Sequence, residues 1–245
     1  MRDEVIVVAE MPTIVLVHGA FADGASWSPV ALRLQGAGFE VRVPAVSNRS
    51  LTADADYVSA FVSRIPGPVV LVGHSYGATV VGVAGRSDNV AAVVFVSGYV
   101  LDEGESAAEI HARFAPAPAV EFFREVAYPE LGDGARRDIS VDEREFAFLA
   151  AAGLPDDEAD VLAVTQRPLD AAVLSEPAQA AAWRTTPAWG VIGLADRVVN
   201  PDALRWAYER AGARQILELD GPHLLMHTHP AEVAALIVRV AANLA

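Results

Sequence analysis

Apolar segments of strand length alternate with segments of helical periodicity along most of this chain. In the first half, strands are predicted at residues 13–19, 39–45, 68–75 and 90–98, and helices lie between them with start signals and Gly or Pro stops. Strands that are apolar at nearly every position are typical of a parallel sheet covered on both faces. Because crossovers between parallel strands are right-handed, the pattern predicts a doubly wound, mostly parallel α/β sheet.

The alternation stops after Tyr99 and resumes at Pro187. Residues 100–186 carry helical patterns, prolines and many acidic residues but no convincing strand, and helices are expected within 108–131 and 142–153. Strands then return at 187–196 and 213–221, with helices at 201–212 and 229–245. The sequence therefore predicts an α/β core formed by residues 1–99 and 187–245, with a helical lid, residues 100–186, inserted between core strands.

Composition narrows the possible functions. The 245 residues are 53% hydrophobic, which is enough for a large core, and the formal net charge of −14 argues against nucleic acid and anionic membrane partners. The chain has no cysteine and no lysine, which excludes disulfides, thiolate chemistry, Schiff bases and a phosphate-binding loop lysine. The first twelve residues lack the features of a signal peptide, so a cytoplasmic location is expected.

A serine stands between two glycines where a buried strand should end and a helix should begin. The segment Gly73-His74-Ser75-Tyr76-Gly77 matches the G-x-S-x-G pattern of a nucleophile elbow, in the strand–turn–helix context that this pattern requires. Such a serine takes a strained backbone conformation, and its neighbours two positions away must be glycine because side chains there would collide. The N-terminus of the following helix favours developing negative charge. Ser75 is therefore the predicted nucleophile.

A serine nucleophile needs a base, and the base needs an acid. The base is expected late in the chain, where His223 follows the last strand, while His227 fits the same turn and His229 fits the cap of the final helix. For the acid, Asp196 at the end of a strand is preferred over its rival Asp102. The chain order is then nucleophile, acid and base, the order that this strand–turn–helix architecture requires.

The remaining site residues follow from the same geometry. The amides of Ala20 and Tyr76 are the predicted oxyanion donors, and His18 is expected to pack beneath the loop. No metal and no organic cofactor are expected, because no carboxylate stands at ligand spacing to the clustered histidines. Side chains expected to line the substrate pocket are those of Phe21, Tyr99, Phe122 and Leu224.

Four motifs carry a family resemblance: VLVHGAFADGASW, VVLVGHSYG, GLADRVV and GPHLLMHTHP. They resemble the α/β-hydrolase fold superfamily, and within it the small lidded serine esterases that include plant methyl esterases and hydroxynitrile lyases. The likeness covers about residues 13–99 and 187–245. Hydroxynitrile lyases have a threonine at the position of Gly19 and a lysine at that of Leu224, so both residues favour ester hydrolysis.

The sequence thus predicts a serine hydrolase that cleaves a carboxylic ester of a small, largely apolar molecule through an acyl-enzyme. Two alternatives stay open. One is a lyase or cyclase in small-molecule biosynthesis that uses the same residues, and the other is a weakly catalytic ligand-binding receptor. The oligomeric state is also open, with a homodimer as one possibility.

Overall fold

A computed structural model describes residues 11–129 and 135–244 of the chain. Residues 1–10, on which the interpretation against a signal peptide rests, lie outside the described residues. The strands of the larger sheet are β1 (Thr13–Val17), β2 (Val41–Arg42), β3 (Val69–His74), β4 (Val90–Val96), β8 (Ala188–Gly193) and β9 (Ile216–Leu219). Their order is β2-β1-β3-β4-β8-β9, and every pair is parallel. The predicted fold class is confirmed.

Helices cover both faces of this sheet. The core helices are α1 (Ser28–Gly36), α2 (Leu51–Val62), α3 (Tyr76–Ala84), α7 (Pro201–Arg210), α8 (Leu225–Thr228) and α9 (Pro230–Ala242). Helix α1 packs against α9 and α2 packs against α3, and right-handed crossovers put these two pairs on opposite faces. Every residue of β1 and β3 is buried as a result, which explains why these strands are continuously apolar.

The segment between β4 and β8 differs from the expectation of a purely helical lid. It contains the helices α4 (Ala107–His111), α5 (Glu143–Leu149) and α6 (Asp156–Val164), and also a three-stranded antiparallel sheet of β5 (Phe123–Pro129), β6 (Ala135–Val141) and β7 (Leu169–Asp170). The expected absence of strands from residues 100–186 is therefore wrong. The division of the chain at residues 99 and 187 stays a prediction.

The reason for this error lies in the pairing of β5 with β6. The sequence FREVAYP contains Arg, Glu and Ala, which also suit helices, so its local pattern does not identify a strand. In the fold, Arg124 of β5 pairs with Asp142, the residue after β6. Glu125 of β5 pairs with Arg137 of β6. These cross-strand contacts stabilise the sheet, and a single-sequence pattern does not contain them.

The inserted segment is joined to the core by the half-buried carboxylate of Glu176 at the start of α2. Glu176 accepts hydrogen bonds from the amides of Leu51 and Thr52, and from the hydroxyl groups of Ser50 and Thr52. These amides have no partner within the helix, and a negative charge is favourable at a helix N-terminus.

Within the described residues, no helix is long and apolar enough to span a membrane.

A buried tyrosine of α7, Tyr208, holds the backbone that follows β4. The Tyr208 hydroxyl donates to the Gly98 carbonyl at 3.0 Å and accepts from the Gly98 amide at 3.1 Å, and Tyr208 itself is fully buried. Its ring also packs against Gly190, where a Cβ atom would collide with it. One side chain from α7 therefore fixes the backbone just before Tyr99.

We expect Tyr208→Phe to lower the free energy of unfolding by about 1–3 kcal/mol, because it leaves the buried Gly98 amide and carbonyl without partners. Urea unfolding checks this value. The matched control is Tyr57→Phe, since Tyr57 is 47% exposed and should change stability by less than about 0.5 kcal/mol. Equal effects of the two substitutions would contradict the prediction.

Candidate active site

Ser75 lies at the sharp turn between β3 and α3. Its backbone has φ 53° and ψ −122°, in a region that non-glycine residues rarely occupy. The Ser75 amide donates to the Val96 carbonyl at 2.9 Å, and its carbonyl accepts from the Ala78 amide at 2.9 Å. These bonds hold the turn, and Ser75 stands at the N-terminus of α3 with its side chain at the edge of a cavity.

Glycines make this turn sterically possible. A Cβ atom at Gly73 would collide with the Gly77 carbonyl, and one at Gly77 would collide with the carbonyl oxygens of Val17 and His18. A Cβ atom at Gly98 would collide with the Ser75 carbonyl. The predicted steric reason for the two motif glycines therefore applies, and Gly98, two residues after the neighbouring strand β4, adds a third position that the sequence pattern does not reveal.

Asp196 and His223 form a buried hydrogen-bonded pair. Asp196 Oδ2 lies 2.7 Å from His223 Nδ1, and both side chains are almost completely buried. The other carboxylate oxygen, Oδ1, accepts from the amides of Val198 at 2.8 Å and Val199 at 2.9 Å. Both oxygens of Asp196 are thus occupied, so the carboxylate has one orientation and fixes the Nδ1–H tautomer of His223.

The ends of β8 and β9 bring this pair to the same edge of the sheet as Ser75. The His223 carbonyl accepts a hydrogen bond at 3.0 Å from Nε2 of His74, the residue before Ser75, and the two imidazole rings lie 4.7 Å apart. The Ser75 hydroxyl makes no hydrogen bond to any described residue. Ser–His bonds of this kind are often long without substrate and shorten when it binds.

The other candidates for these positions have different partners. Asp102 binds the guanidinium of Arg184 through both carboxylate oxygens, and this contact lowers the Asp102 pKa. His227 Nδ1 lies 3.1 Å from Glu158, and His229 Nδ1 lies 2.9 Å from the Thr228 hydroxyl. His229 occupies the N-cap position of α9 but makes no side-chain capping bond. Among the described residues there is no cluster of acids and histidines suited to a metal ion.

Two histidines beneath the site are buried and neutral. His74 has a pKa well below the usual histidine value, because burial disfavours its charged form and His223 lies beside it. Burial also lowers the pKa of His18, whose Nδ1 bonds to the Gly19 carbonyl. His18 lies beneath the oxyanion loop and is fully buried, where it packs rather than facing the cavity.

The loop after β1 brings the second predicted oxyanion donor next to Ser75. A Cβ atom at Gly19 would lie 2.8 Å from Ser75 Cβ, so there is no room for a side chain between this loop and Ser75. Ala20 and Tyr76 both line the cavity beside Ser75. No described residue accepts a hydrogen bond from the Ala20 amide, and the Tyr76 amide is at the first position of α3, where helical geometry supplies no partner.

Asp54, which the sequence interpretation missed, fixes the side chain of Tyr76. It is 2% exposed and accepts from the Tyr76 hydroxyl at 2.8 Å. It also accepts from the Ser47 amide at 2.6 Å and the Asn48 amide at 2.9 Å. In the sequence, Asp54 is an ordinary acidic residue in the first turn of a helix, so nothing local indicates its contact with a residue 22 positions away.

A cavity of about 450 Å³ opens beside Ser75. Of the four predicted pocket residues, Phe21 and Tyr99 line it, whereas Phe122 and Leu224 are not among the lining residues. Leu224 is 5% exposed and packs in the core, and its amide donates to the Ala150 carbonyl. Phe122 ends a short 3-10 helix, and it is the next residue, Phe123, that lines the cavity. These two predictions are therefore corrected.

The fold and this site define the class of protein. Residues 14–236 match the family model described as alpha/beta hydrolase family, and the chain belongs to that family. No curated protein matches the chain.

Several solved structures have the same fold. They include polyneuridine aldehyde esterase (TM-score 0.83, 18% identity, 95% of this chain and 100% of that one). Others are a methylesterase from Arabidopsis (TM-score 0.78, 16% identity, 94% and 99%) and a pyrethroid hydrolase from Sphingobium faniae (TM-score 0.76, 17% identity, 94% and 97%). At these identities the similarity establishes the fold alone.

The neutral buried histidines predict how stability depends on pH. In the unfolded chain, His18 and His74 titrate near pH 6.5, whereas in the folded protein their pKa values are lower. Below about pH 6.5 the unfolded state therefore binds more protons, and the free energy of unfolding should fall as the pH decreases. Each histidine contributes a slope of at most about 1.4 kcal/mol per pH unit.

Urea unfolding between pH 8 and 5.5 measures this slope, above the range in which most carboxylates are protonated. His74→Gln keeps a donor for the His223 carbonyl but does not titrate, so its slope should be smaller than that of the wild type. Identical slopes would show that His74 is not the group responsible.

Proposed function

We propose that the protein is a serine hydrolase that cleaves a carboxylic ester of a small, largely apolar molecule through an acyl-enzyme. The observation that carries this proposal is the buried Asp196–His223 pair at the sheet edge where Ser75 is held in a strained turn. The names of the structural relatives, which include an esterase, a methylesterase and a pyrethroid hydrolase, support ester hydrolysis as the reaction class.

Each group has a defined task in this mechanism. The Ser75 hydroxyl attacks the ester carbonyl carbon and forms a C–O bond, while His223 Nε2 takes the hydroxyl proton. The amides of Ala20 and Tyr76 donate to the tetrahedral oxyanion, and Asp196 stabilises the imidazolium. When the bond to the leaving alcohol breaks, the imidazolium returns the proton to it.

Release of the acyl group repeats these steps with water as the nucleophile. His223 accepts a proton from water, and the resulting attack on the acyl-enzyme regenerates the Ser75 hydroxyl and frees the carboxylic acid. The apolar lining beside Ser75 favours an uncharged acyl or alcohol group. No step requires a metal ion or an organic cofactor.

The serine is tested with p-nitrophenyl butyrate and a fluorophosphonate probe. Ser75→Ala should lose both turnover and covalent labelling, by a factor of at least about 10³, because the nucleophile is absent. Ser63→Ala is the control, since Ser63 is an exposed residue at the end of α2. Labelling of Ser75 in a protein that turns over no ester would overturn hydrolysis and favour a receptor or a different reaction.

The acid is tested by a matched pair of substitutions. Asp196→Asn should lower kcat by about 10³–10⁴, because an amide favours the wrong tautomer of His223 and does not stabilise its charge. Asp102→Asn removes the same charge from a residue that binds Arg184 instead of His223, so its kcat should stay within about threefold of the wild type. A large loss with Asp102→Asn and none with Asp196→Asn would reverse the assignment.

A further inference from the structure

The cavity beside Ser75 has a mostly apolar wall with one unusual polar feature. Its apolar lining comes from both the core and the inserted segment and includes Phe21, Val198 and Val199 of the core and Val120, Phe123 and Ile139 of the inserted segment. Within this wall, the Tyr99 hydroxyl lies 3.2 Å from His111 Nδ1. Tyr99 follows β4 of the core, and His111 is the last residue of α4 in the inserted segment.

Apart from Ser75, the other polar residues of the wall have partners already. The Thr79 hydroxyl donates to the Tyr99 carbonyl at 3.2 Å, and the Tyr76 hydroxyl is held by Asp54. Glu125 pairs with Arg137, and its side chain is 48% exposed. Tyr99 and His111, in contrast, make no side-chain hydrogen bond to any other described residue. Their remaining hydrogen-bonding capacity is therefore available to a ligand.

The Tyr99–His111 pair has free hydrogen-bonding groups in either tautomer of His111. If Tyr99 donates to Nδ1, then Nε2–H is a free donor and the phenolic oxygen is a free acceptor. If Nδ1–H donates to Tyr99, then the phenol is a free donor and Nε2 is a free acceptor. In both cases the phenolic oxygen keeps one free position, an acceptor in the first tautomer and a donor in the second, and a hydroxyl group pairs with it in either tautomer because it both donates and accepts.

Charge disfavours carboxylate and phosphate groups as ligands of this pair. Burial and the nearby Asp196 carboxylate raise the Tyr99 pKa, so the phenol keeps its proton at neutral pH. No arginine is among the described lining residues, the chain contains no lysine, and Glu125 adds a negative charge to the wall. A substrate carboxylate or phosphate would therefore meet repulsion and no cationic partner.

We propose that the Tyr99–His111 pair is a substrate-binding site for a hydroxyl group, and that the substrate is an uncharged ester with an apolar body and a hydroxyl apart from the scissile carbonyl. This inference rests on the proposed function, because it names the substrate class of the same site. The pair also joins the core to the inserted segment, so the binding of a hydroxyl there would engage both parts of the wall.

The test compares esters that differ only in one hydroxyl group. The acyl series consists of p-nitrophenyl esters of six-, eight- and ten-carbon acids, each with and without a terminal hydroxyl. The alcohol series consists of the acetates of alkanols and the monoacetates of the matching diols. Their hydrolysis is measured by the release of acid. In the wild type, at least one hydroxylated compound should exceed its plain partner in kcat/KM by about tenfold or more.

Tyr99→Phe should bring this ratio close to one, mainly through KM, because it removes the phenolic oxygen that pairs with the substrate hydroxyl. His111→Phe should lower the ratio by less, because the phenol then loses the partner that orients it. Tyr57→Phe is the matched control, since Tyr57 is exposed on α2 and outside the cavity wall, and it should keep the wild-type ratio. The ratio is measured within one protein preparation, so a partial loss of folded enzyme does not change it.

A ratio at or below one for every pair in the wild type would overturn the inference, as would a ratio that survives in Tyr99→Phe. In either case, hydrolysis of the plain esters would leave the proposed function standing. If no ester is turned over, the proposed function fails, and thermal shifts with hexane-1,6-diol and hexan-1-ol decide the binding site. A larger shift with the diol that Tyr99→Phe abolishes would support the site, and equal shifts would refute it.

Discussion

The backbone of Ser75 is the constraint from which the rest of the site follows. A residue in this conformation costs about 1–3 kcal/mol and persists only where the surroundings hold it. Here β1, β3, β4 and α3 meet so closely that Gly73, Gly77 and Gly98 have no room for a side chain. The same closeness puts Ser75 at the N-terminus of α3, where the first amides of the helix are unpaired. The strained backbone, the glycines around it and the unpaired amides beside Ser75 are thus consequences of one packing arrangement.

A second layer of buried polar groups holds this arrangement from below. Asp54, His74 and Asp196 are each almost inaccessible to solvent, and each binds a residue from a distant part of the chain. A buried carboxylate or imidazole is costly unless it is hydrogen-bonded, so each group has a defined orientation once its partners are in place. Asp54 receives its partners from the loop after β2 and from α3, and Asp196 receives its partners from its own loop and from His223.

The candidate site could be located from the sequence to the extent that it lies at strand ends. In a parallel sheet the carboxyl ends of the strands share one edge, so a serine after β3, an acid after β8 and a histidine after β9 are placed near each other by topology alone. The inserted segment follows no such rule. Its strand β5 has a helix-compatible sequence and is stabilised by its pairing with β6, so the local sequence does not identify it. The predicted pocket residues Phe122 and Leu224 lie outside the cavity wall, because no local sequence signal shows which side chains face the cavity.

The sequence by itself determined the α/β sheet, the order of its helices and the chain positions from which a nucleophile, an acid and a base could come. It did so because periodicity, glycine positions and strand ends are local properties. Only the tertiary structure decided the β-sheet of the inserted segment, the contact of Asp54 with Tyr76 and the meeting of Tyr99 with His111. These contacts depend on which side chains of different elements face each other, and only the packing of the elements decides that.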